Sequence, residues 1–158
     1  MPKKEFIMEK TYSIKEVADY FNLPISTIRY YDKKGLLPFV SKNDTGYRVF
    51  SESDFGFIKT ICRLKDTGMP IKDIKTYIDL CMQGTSTIGQ RKQMLQRHKA
   101  NVLKQQQLLT NSLKEIDTKI SRYDSKDSFN LITAQIKFVQ HEKKGLKLRD
   151  PFIRDPFI

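Results

Sequence analysis

The segment from residue 24 to residue 50 combines a short helix with a hairpin. It reads Pro24-Ile-Ser-Thr-Ile-Arg-Tyr-Tyr-Asp-Lys-Lys-Gly-Leu-Leu-Pro38 and, after seven intervening residues, Gly46-Tyr-Arg-Val-Phe50. Pro24 suits the first turn of a helix, where its missing N–H has no partner, and Gly35 suits the helix end. Residues 41–46 have the Asn, Asp and Gly chemistry of a hairpin turn. The segment therefore predicts a helix followed by two extended pieces, the first at residues 37–40 and the second at 47–50.

A second helix precedes this segment. Ser13 and Glu16 have the spacing of a capping box, in which each side chain bonds the backbone N–H of the other residue. Apolar residues then recur at helical spacing as far as Phe21. Residues 13–35 thus predict a helix-turn-helix and residues 36–50 its wing, a unit that places cationic and aromatic side chains against a DNA duplex.

Two further helices complete a small domain. Ser51 offers an N-cap for a helix over residues 52–67, and Pro70 opens another over residues 70–82. We therefore expect residues 11–84 to form one winged-helix domain.

An unbroken seven-residue apolar repeat follows over residues 86–124. Such a repeat is typical of a coiled coil, whose apolar seam needs a partner helix, and the simplest partner is a second copy of the chain. The helix would be about 55 Å long at 1.5 Å per residue. The predicted dimerisation residues are Ile88, Leu95, Val102, Leu109, Leu113, Ile116, Ile120 and Tyr123.

The last segment, residues 125–158, is a short basic tail. Phe129, Ile132, Ile136 and Val139 predict an amphipathic helix over residues 128–141, which either packs to fix a domain angle or forms a lid over a pocket. The chain ends with Arg-Asp-Pro-Phe-Ile twice over, a duplication for which we have no physical account.

Composition narrows the class of protein further. The 158 residues carry a net charge of +11, which favours a polyanionic partner. Two cysteines without a wider framework indicate a reducing compartment. No stretch approaches the ~18 apolar residues of a membrane span, and no signal peptide is evident. The prediction is a cytoplasmic protein without a membrane partner.

Several of these motifs occur together in one known family. Ile-Arg-Tyr-Tyr-Asp-x-x-Gly-Leu, Gly-x-Arg-x-Phe, Gly-Met-x-Ile-x-x-Ile and the long helix, spread over residues 11–124, resemble the MerR (mercury-resistance regulator) family of bacterial transcription regulators. The resemblance implies a winged helix on an antiparallel coiled-coil homodimer. It also implies a pseudo-palindromic promoter that is distorted in response to an effector, so that RNA polymerase engages indirectly through the DNA.

DNA contacts are expected from the recognition helix and the wing. The resemblance places Arg29, Tyr30, Tyr31 and Arg48 on the family's DNA-contacting motifs. Arginine can donate two hydrogen bonds to guanine, whereas tyrosine hydroxyls and Arg48 suit phosphates or the minor groove. Alternatively, Tyr30 or Tyr31 packs in the core, and Lys34 is a cation that complements the dipole at the C-terminal end of the helix. The predicted contacts are Ser13, Thr27, Arg29, Tyr30, Tyr31, Lys34 and Arg48.

The effector is not identified by the sequence. Residues 125–158 lack the cysteines that metal-sensing members carry, so no metal site and no cofactor is predicted. Some short-tailed relatives respond through one cysteine before the Gly-Met turn, but Cys62 lies one residue from that position. Cys62 and Cys81 are therefore either redox-sensing thiols or small buried hydrophobes.

Two other classes of function remain as alternatives. A coiled-coil interaction protein could bind nucleic acid without sequence preference through its basic surface. An enzyme is not predicted, because no paired carboxylates, nucleophile-base pair or phosphate-binding glycine loop is present. The sequence identifies neither the promoter nor the inducer, and it does not distinguish an activator from a repressor.

Overall fold

A computed structural model describes residues 10–152 of the chain. The second copy of the terminal duplication, and the last residue of the first copy, lie outside the described residues. Helices account for 71% of the structure. Within the described residues a three-stranded sheet and a long helix complete it, which confirms the mostly helical, winged helix-turn-helix prediction. By contacts the chain divides into two compact units that meet between Lys104 and Gln105.

The first unit contains the sheet and four helices, and it also holds the start of the long helix. In chain order the elements are β1 Thr11–Tyr12, α1 Ile14–Tyr20, α2 Ile25–Lys33, β2 Ser41–Lys42, β3 Arg48–Ser51, α3 Glu52–Asp66, α4 Ile71–Met82, the short 3-10 helix Gly84–Thr87 and α5 Ile88–Asp124. The strand order is β1-β3-β2, and both pairings are antiparallel. In register, Tyr12 is opposite Phe50 and Lys42 is opposite Arg48.

Side chains and glycines set where these helices begin and end. The Ser13 hydroxyl accepts a hydrogen bond from the Glu16 N–H at 3.2 Å, and the Glu16 carboxylate accepts from the Ser13 N–H at 2.8 Å. At the start of α3, the Asp54 carboxylate accepts a hydrogen bond from the Ser51 N–H at 2.8 Å. Gly35 follows α2 with a φ of +74°, and a Cβ there would lie 3.1 Å from Lys75. Gly35 thus turns the chain tightly beneath α4.

The core of the first unit lies between the helices and the sheet. Its fully buried side chains come from α1 to α4, from β3 and from the segment between α2 and β2. The largest are Tyr31, Phe50, Ile28, Leu36, Leu37, Ile58, Ile61, Ile74 and Ile78. An aromatic group of Tyr12, Tyr20, Phe21 and Phe55 packs beside them, with ring centroids 4.8–5.6 Å apart. This burial fixes α2 on the domain.

Two features of the sheet differ from the sequence prediction. Residues 37–40 are a turn rather than a strand, with the Val40 N–H donating to the Leu37 carbonyl at 3.2 Å. Their apolar side chains fill the core without pairing, and the first wing strand is Ser41–Lys42 instead. The third strand, Thr11–Tyr12, was not predicted because two residues carry no readable alternation.

The start of α5 is held on the first unit by contacts from its own chain. Leu95 packs against the core, and the Thr67 hydroxyl lies 2.7 Å from His98 Nε2. At the base of α5, the Thr87 hydroxyl donates to the Leu80 carbonyl at 2.5 Å. The first turns of α5 are thereby joined to α3 and α4.

The second unit consists of the end of α5 and a helix, α6, at Ser128–Gly145. The helix extends four residues beyond the predicted end at residue 141. Arg122 donates to the Gln135 side chain at 3.2 Å, and Gln140 donates to Asp150 at 2.8 Å. No described residue from 105 to 152 is fully buried. Among the described residues, no helix has the length and apolar character needed to cross a membrane.

Candidate nucleic-acid interface

The recognition helix α2 presents two different faces. Ile28 and Tyr31 are each only 1% exposed, whereas Arg29 is exposed and Tyr30 keeps 41% of its surface. Residues three apart share one side of a helix, so the two buried side chains face the core together. Arg29 and Tyr30 project from the other side, where they form the exposed edge of α2.

Tyr31 belongs to the core, with 1% of its surface exposed, and this burial disfavours its prediction as a DNA contact. Burial raises the pKa of Tyr31 to about 12, because the charged phenolate is disfavoured away from water. The Lys65 ammonium lies 5.3 Å from the ring centroid. This burial supports the alternative that Tyr31 is a core aromatic, which the sequence left open.

A basic cleft borders the exposed edge of α2. Its volume is about 330 Å³, and its walls are Tyr30, Lys34, Ile71, Lys72 and Lys75. The Lys34 ammonium lies 5.7 Å from the centroid of the Tyr30 ring. Lys72 and Lys75 were missed by the sequence prediction because Gly35 brings α4 to α2 only in the folded domain.

Arg48 begins the wing strand β3 and its side chain is half-buried. Its Nη2 donates to Asp32 Oδ1 at 2.6 Å, its Nε donates to Asp32 Oδ2 at 3.1 Å, and its Nη1 donates to the Val40 carbonyl at 2.6 Å. All three nitrogens of the guanidinium are thus bonded to protein acceptors. Because Asp32 is in α2, this two-pronged pair ties the wing to the recognition helix.

The wing tip is ordered by one side chain. Asn43 Oδ1 accepts from the N–H groups of Thr45 and Tyr47 and from the Thr45 hydroxyl, at 2.8–3.2 Å. Gly46 has a φ of +84°, as such a turn requires. Tyr47 is 74% exposed beside this turn. It was not among the predicted contacts, although it stands between Gly46 and Arg48 of the motif.

The remaining predicted contacts occupy different settings. Ser13 is exposed, but its oxygen already caps α1. Thr27 is half-buried on α2, and Lys34 is exposed at the C-terminal end of that helix. The roles of Ser13, Thr27 and Lys34 in DNA binding stay predictions.

Known proteins resemble this chain in sequence and in the fold of the winged helix-turn-helix domain. Residues 12–81 match the family model described as "MerR HTH family regulatory protein", and residues 58–122 match "MerR, DNA binding". An uncharacterised helix-turn-helix transcriptional regulator from Haemophilus influenzae is 31% identical over 124 residues, which are 78% of this chain and 92% of that protein. The chain belongs to the MerR family. It is therefore a DNA-binding transcriptional regulator and not an enzyme.

Solved structures of the MerR family match the fold closely. A regulator from Bacillus thuringiensis shares 45% identity, with 72% of this chain and all of that one covered and a TM-score of 0.67. HiNmlR, a MerR family regulator lacking the sensor domain and bound to promoter DNA, shares 32% identity, with 73% and 91% covered and a TM-score of 0.67.

Within residues 10–152, no three or more His, Cys, Asp or Glu side chains cluster so that they could hold a metal ion. Cys62 is half-buried in the wall of a cavity of about 390 Å³. Burial raises the pKa of its thiol, as does the Asp66 charge, against the opposite effect of Lys65 and Arg63. A raised pKa lowers the thiolate fraction, which disfavours Cys62 as a reactive sensor.

The predicted seam residues of this MerR chain fall into two groups. Leu95 packs on the core of its own chain and Val102 is half-buried. The others are each at least half exposed: Ile88, Leu109, Leu113, Ile116, Ile120 and Tyr123. The exposed group lies mainly toward the C-terminal end of α5.

Proposed function

We propose that this MerR-family protein is a homodimer that recognises a pseudo-palindromic promoter by sequence and distorts it in response to an effector. The observation that carries the proposal is the exposed edge of α2, where Arg29 and Tyr30 project while their neighbours are buried. The promoter DNA bound by HiNmlR supports it. RNA polymerase would be affected only through the DNA.

Arg29 is assigned the reading of bases. A guanidinium can donate two parallel hydrogen bonds to guanine in the major groove, which is worth about 1–3 kcal/mol of discrimination. Tyr30, Lys34 and Lys72 of the basic cleft, and Tyr47 of the wing, are assigned to phosphates, because their hydroxyl and ammonium groups hold position without reading sequence.

The homodimer is supported by the uncovered apolar surface of α5. Leu109, Leu113, Ile116 and Ile120 follow one heptad stripe and are each at least half exposed. Contiguous apolar surface of this kind marks an interaction site. The second unit also lacks any fully buried residue between 105 and 152, so one copy alone gives that unit no core.

An antiparallel pairing is supported by the charges along α5. Residues 88–104 carry five Lys and Arg and no Asp or Glu, whereas residues 105–124 carry three of each sign. Antiparallel helices place the acid-free half of one copy beside the half of the other copy that has the carboxylates. A parallel pair would set the two cationic halves against each other, which is unfavourable.

Distortion of the promoter requires a free energy that an effector can supply. Deforming a site of 20–30 base pairs costs of order 1–6 kcal/mol. An effector that binds two protein conformations with different affinity can supply a free energy of this size. A small change in how two winged domains are held would therefore switch the promoter.

Replacing Arg29 by alanine tests the assignment. The variant should lose preference for a selected operator over random duplex while it keeps most of its nonspecific affinity, as measured by fluorescence anisotropy at moderate salt. Arg97→Ala, which removes an exposed arginine from α5, is the control and should leave the preference intact. Equal affinity of the wild type for operator and random duplex would favour the alternative, a coiled-coil protein with nonspecific binding.

A further inference from the structure

Tyr31 is a buried tyrosine whose hydroxyl makes no hydrogen bond with any residue from 10 to 152. Only 1% of its surface is exposed, yet its hydroxyl has no donor or acceptor beside it in that range. The oxygen is not sealed from solvent, because among the described residues only Arg91 Nε is both buried and unpartnered. A buried tyrosine hydroxyl ordinarily has a hydrogen-bond partner. The unpaired hydroxyl of Tyr31 therefore indicates a partner from outside the chain.

A cavity of about 390 Å³ adjoins Tyr31 between α1, α2 and α3. Its uncharged walls are Tyr20, Phe21, Leu23, Tyr31 and Cys62. Cys62 and Asp66, two of the groups whose charges raise the pKa of Tyr31, both line this cavity, so the phenol end of Tyr31 faces it. Apolar and aromatic walls with a few polar groups are typical of small-molecule sites of this size.

The charged part of the lining favours an anion. Lys59, Arg63 and Lys65 contribute three positive charges and Asp66 one negative charge, and all four side chains are exposed. The Lys65 ammonium lies over the Tyr31 ring, 5.3 Å from its centroid. Lys59 and Arg63 lie four residues apart on α3, so they share one face of that helix. A carboxylate at the mouth of the cavity would meet these two cations.

We propose that this cavity binds an aromatic carboxylate, and that this ligand is the effector. The assignment rests on the proposed regulatory function. The ring lies against Phe21 and Leu23, and a polar group on the ring accepts a hydrogen bond from the Tyr31 hydroxyl. The carboxylate pairs with Lys59 and Arg63 through charge-assisted hydrogen bonds.

The site is separate from the surfaces that we assign to the second copy and to DNA. None of its nine lining residues belongs to α5, so pairing along the seam does not run through it. The basic cleft beside Tyr30 shares no residue with it. The ligand can therefore bind the dimer, with or without DNA on the exposed edge of α2.

The position of the cavity gives the ligand a route to the DNA-binding surface. Its lining joins the end of α1, the turn at Leu23 and the buried face of α2 to α3. Arg29 and Tyr30 belong to the same helix as Tyr31. A ligand that prefers one position of α2 against α3 would shift the population toward it and thereby change operator affinity.

The probe is 4-hydroxybenzoate, titrated by calorimetry into the full chain without DNA, with the uncharged 4-hydroxybenzyl alcohol as its control. Wild type should bind the acid more tightly than the alcohol. Lys59→Gln with Arg63→Gln should weaken binding of the acid by about tenfold, which corresponds to about 1.4 kcal/mol, and leave the alcohol unaffected. Arg97→Gln, which removes an exposed charge from α5, should bind both as wild type does.

Tyr31→Phe tests the inner end of the site. Wild type should prefer 4-hydroxybenzoate to benzoate by about fivefold, the factor expected from one hydrogen bond. The variant lacks the hydroxyl that bonds the ligand, so this preference should be lost. A preference that survives in Tyr31→Phe would overturn the assigned orientation of the ligand.

Alkylation of the two cysteines by iodoacetamide locates the ligand independently. Cys62 lines the cavity and Cys81 does not. Saturating 4-hydroxybenzoate should therefore slow alkylation of Cys62 more than that of Cys81, as measured by mass spectrometry. Protection of Cys62 no greater than that of Cys81 would overturn the location.

The outcomes separate the site from the regulation. Failure of wild type to bind in the millimolar range, which a partner copy filling the cavity would also cause, would overturn the site, as would equal binding of the acid and the alcohol. Binding of 4-hydroxybenzoate without any change in operator affinity would overturn the effector role. Operator binding by wild type without the ligand shows whether the proposed regulatory function itself stands.

Discussion

Asp32 and Arg48 form a pair that joins the recognition helix to the wing. The Asp32 carboxylate lies in the recognition helix, where a negative charge repels phosphate. Arg48 neutralises it with two hydrogen bonds and holds the wing through the Val40 carbonyl. We therefore assign Arg48 a positioning role, in place of the phosphate contact that the sequence motif predicted.

The Asp32–Arg48 pair predicts an effect on operator affinity opposite to the one expected from charge alone. Asp32→Asn removes a negative charge near the DNA, yet it should lower operator affinity, because the wing loses its bond to α2. Arg48→Gln should weaken binding similarly and leave the salt dependence unchanged. Asp44→Asn at the exposed wing tip is the matched control and should bind slightly more tightly. If Arg48→Gln instead reduces the log–log salt slope by about 0.9, Arg48 contacts a phosphate directly.

The two adjacent tyrosines should respond differently to loss of the hydroxyl. Tyr30→Phe should weaken operator binding by about 1 kcal/mol, the net value of a hydrogen bond. Tyr31→Phe should leave operator binding unchanged and alter the free energy of unfolding by less than about 1.5 kcal/mol. Anisotropy and chemical denaturation measure the two quantities, and a binding defect of Tyr31→Phe would place its hydroxyl on the DNA.

The raised pKa of Tyr31 adds a pH dependence to that comparison. The folded pKa is about 12, above the ordinary value of 10.0, so folding disfavours the phenolate. The stability tied to this group is complete below pH 10 and is lost as the pH rises toward 12. The free energy of unfolding of wild type should therefore fall relative to Tyr31→Phe over this range. A constant difference between the two proteins would mean that Tyr31 is not buried.

At the scale of elements, the sequence predicts best what local chemistry determines. The caps at Ser13 and Ser51 and the glycine after α2 depend on residues a few positions apart, and the helices begin or end at these places. Tertiary packing, by contrast, determines the turn at residues 37–40. It also determines that Lys72 of α4 lies in the same cleft as Tyr30 of α2. Apolar residues indicate that a segment is buried, but they do not indicate whether its backbone forms hydrogen bonds with a neighbouring strand.

The stripe on α5 gives a prediction about assembly. Leu113→Lys with Ile120→Lys should yield a monomer that binds DNA poorly, because two charges would enter an apolar seam. Leu108→Lys with Thr118→Lys adds the same charge to the same exposed helix outside the heptad stripe and should remain dimeric. Sedimentation velocity distinguishes the two, and a dimer formed by the first variant would show that the seam is misassigned.

Crosslinking tests the direction of pairing. In a background with Cys62→Ser and Cys81→Ser, which should itself leave DNA binding unchanged, Ile88→Cys and Tyr123→Cys mark the two ends of α5. A parallel coiled coil would bring each introduced cysteine beside its own copy. In the antiparallel dimer that we propose, neither variant should form a disulfide-linked dimer with itself. Efficient self-linkage of both would reverse the assigned direction.

For the whole molecule, overall charge says little about where DNA binds. The net charge is +3 over residues 1–80, +5 over 81–124 and +3 over 125–158, so the excess is spread along the chain. The ordered motifs identified the family, and the structure then separated the exposed Arg29 from the buried Tyr31. The basic cleft beside Tyr30 could not be read from sequence, because its lining joins α2 to α4 only after folding.

Hydroxyl-radical footprinting on the intergenic region upstream of the protein's own gene tests the central claim most directly. A homodimer that reads sequence should protect two half-sites related by two-fold symmetry. Leu113→Lys with Ile120→Lys should abolish this protection, and Arg29→Ala should make it diffuse. Uniform protection without preferred sites, or a single unsymmetrical site unaffected by the seam variant, would contradict the account.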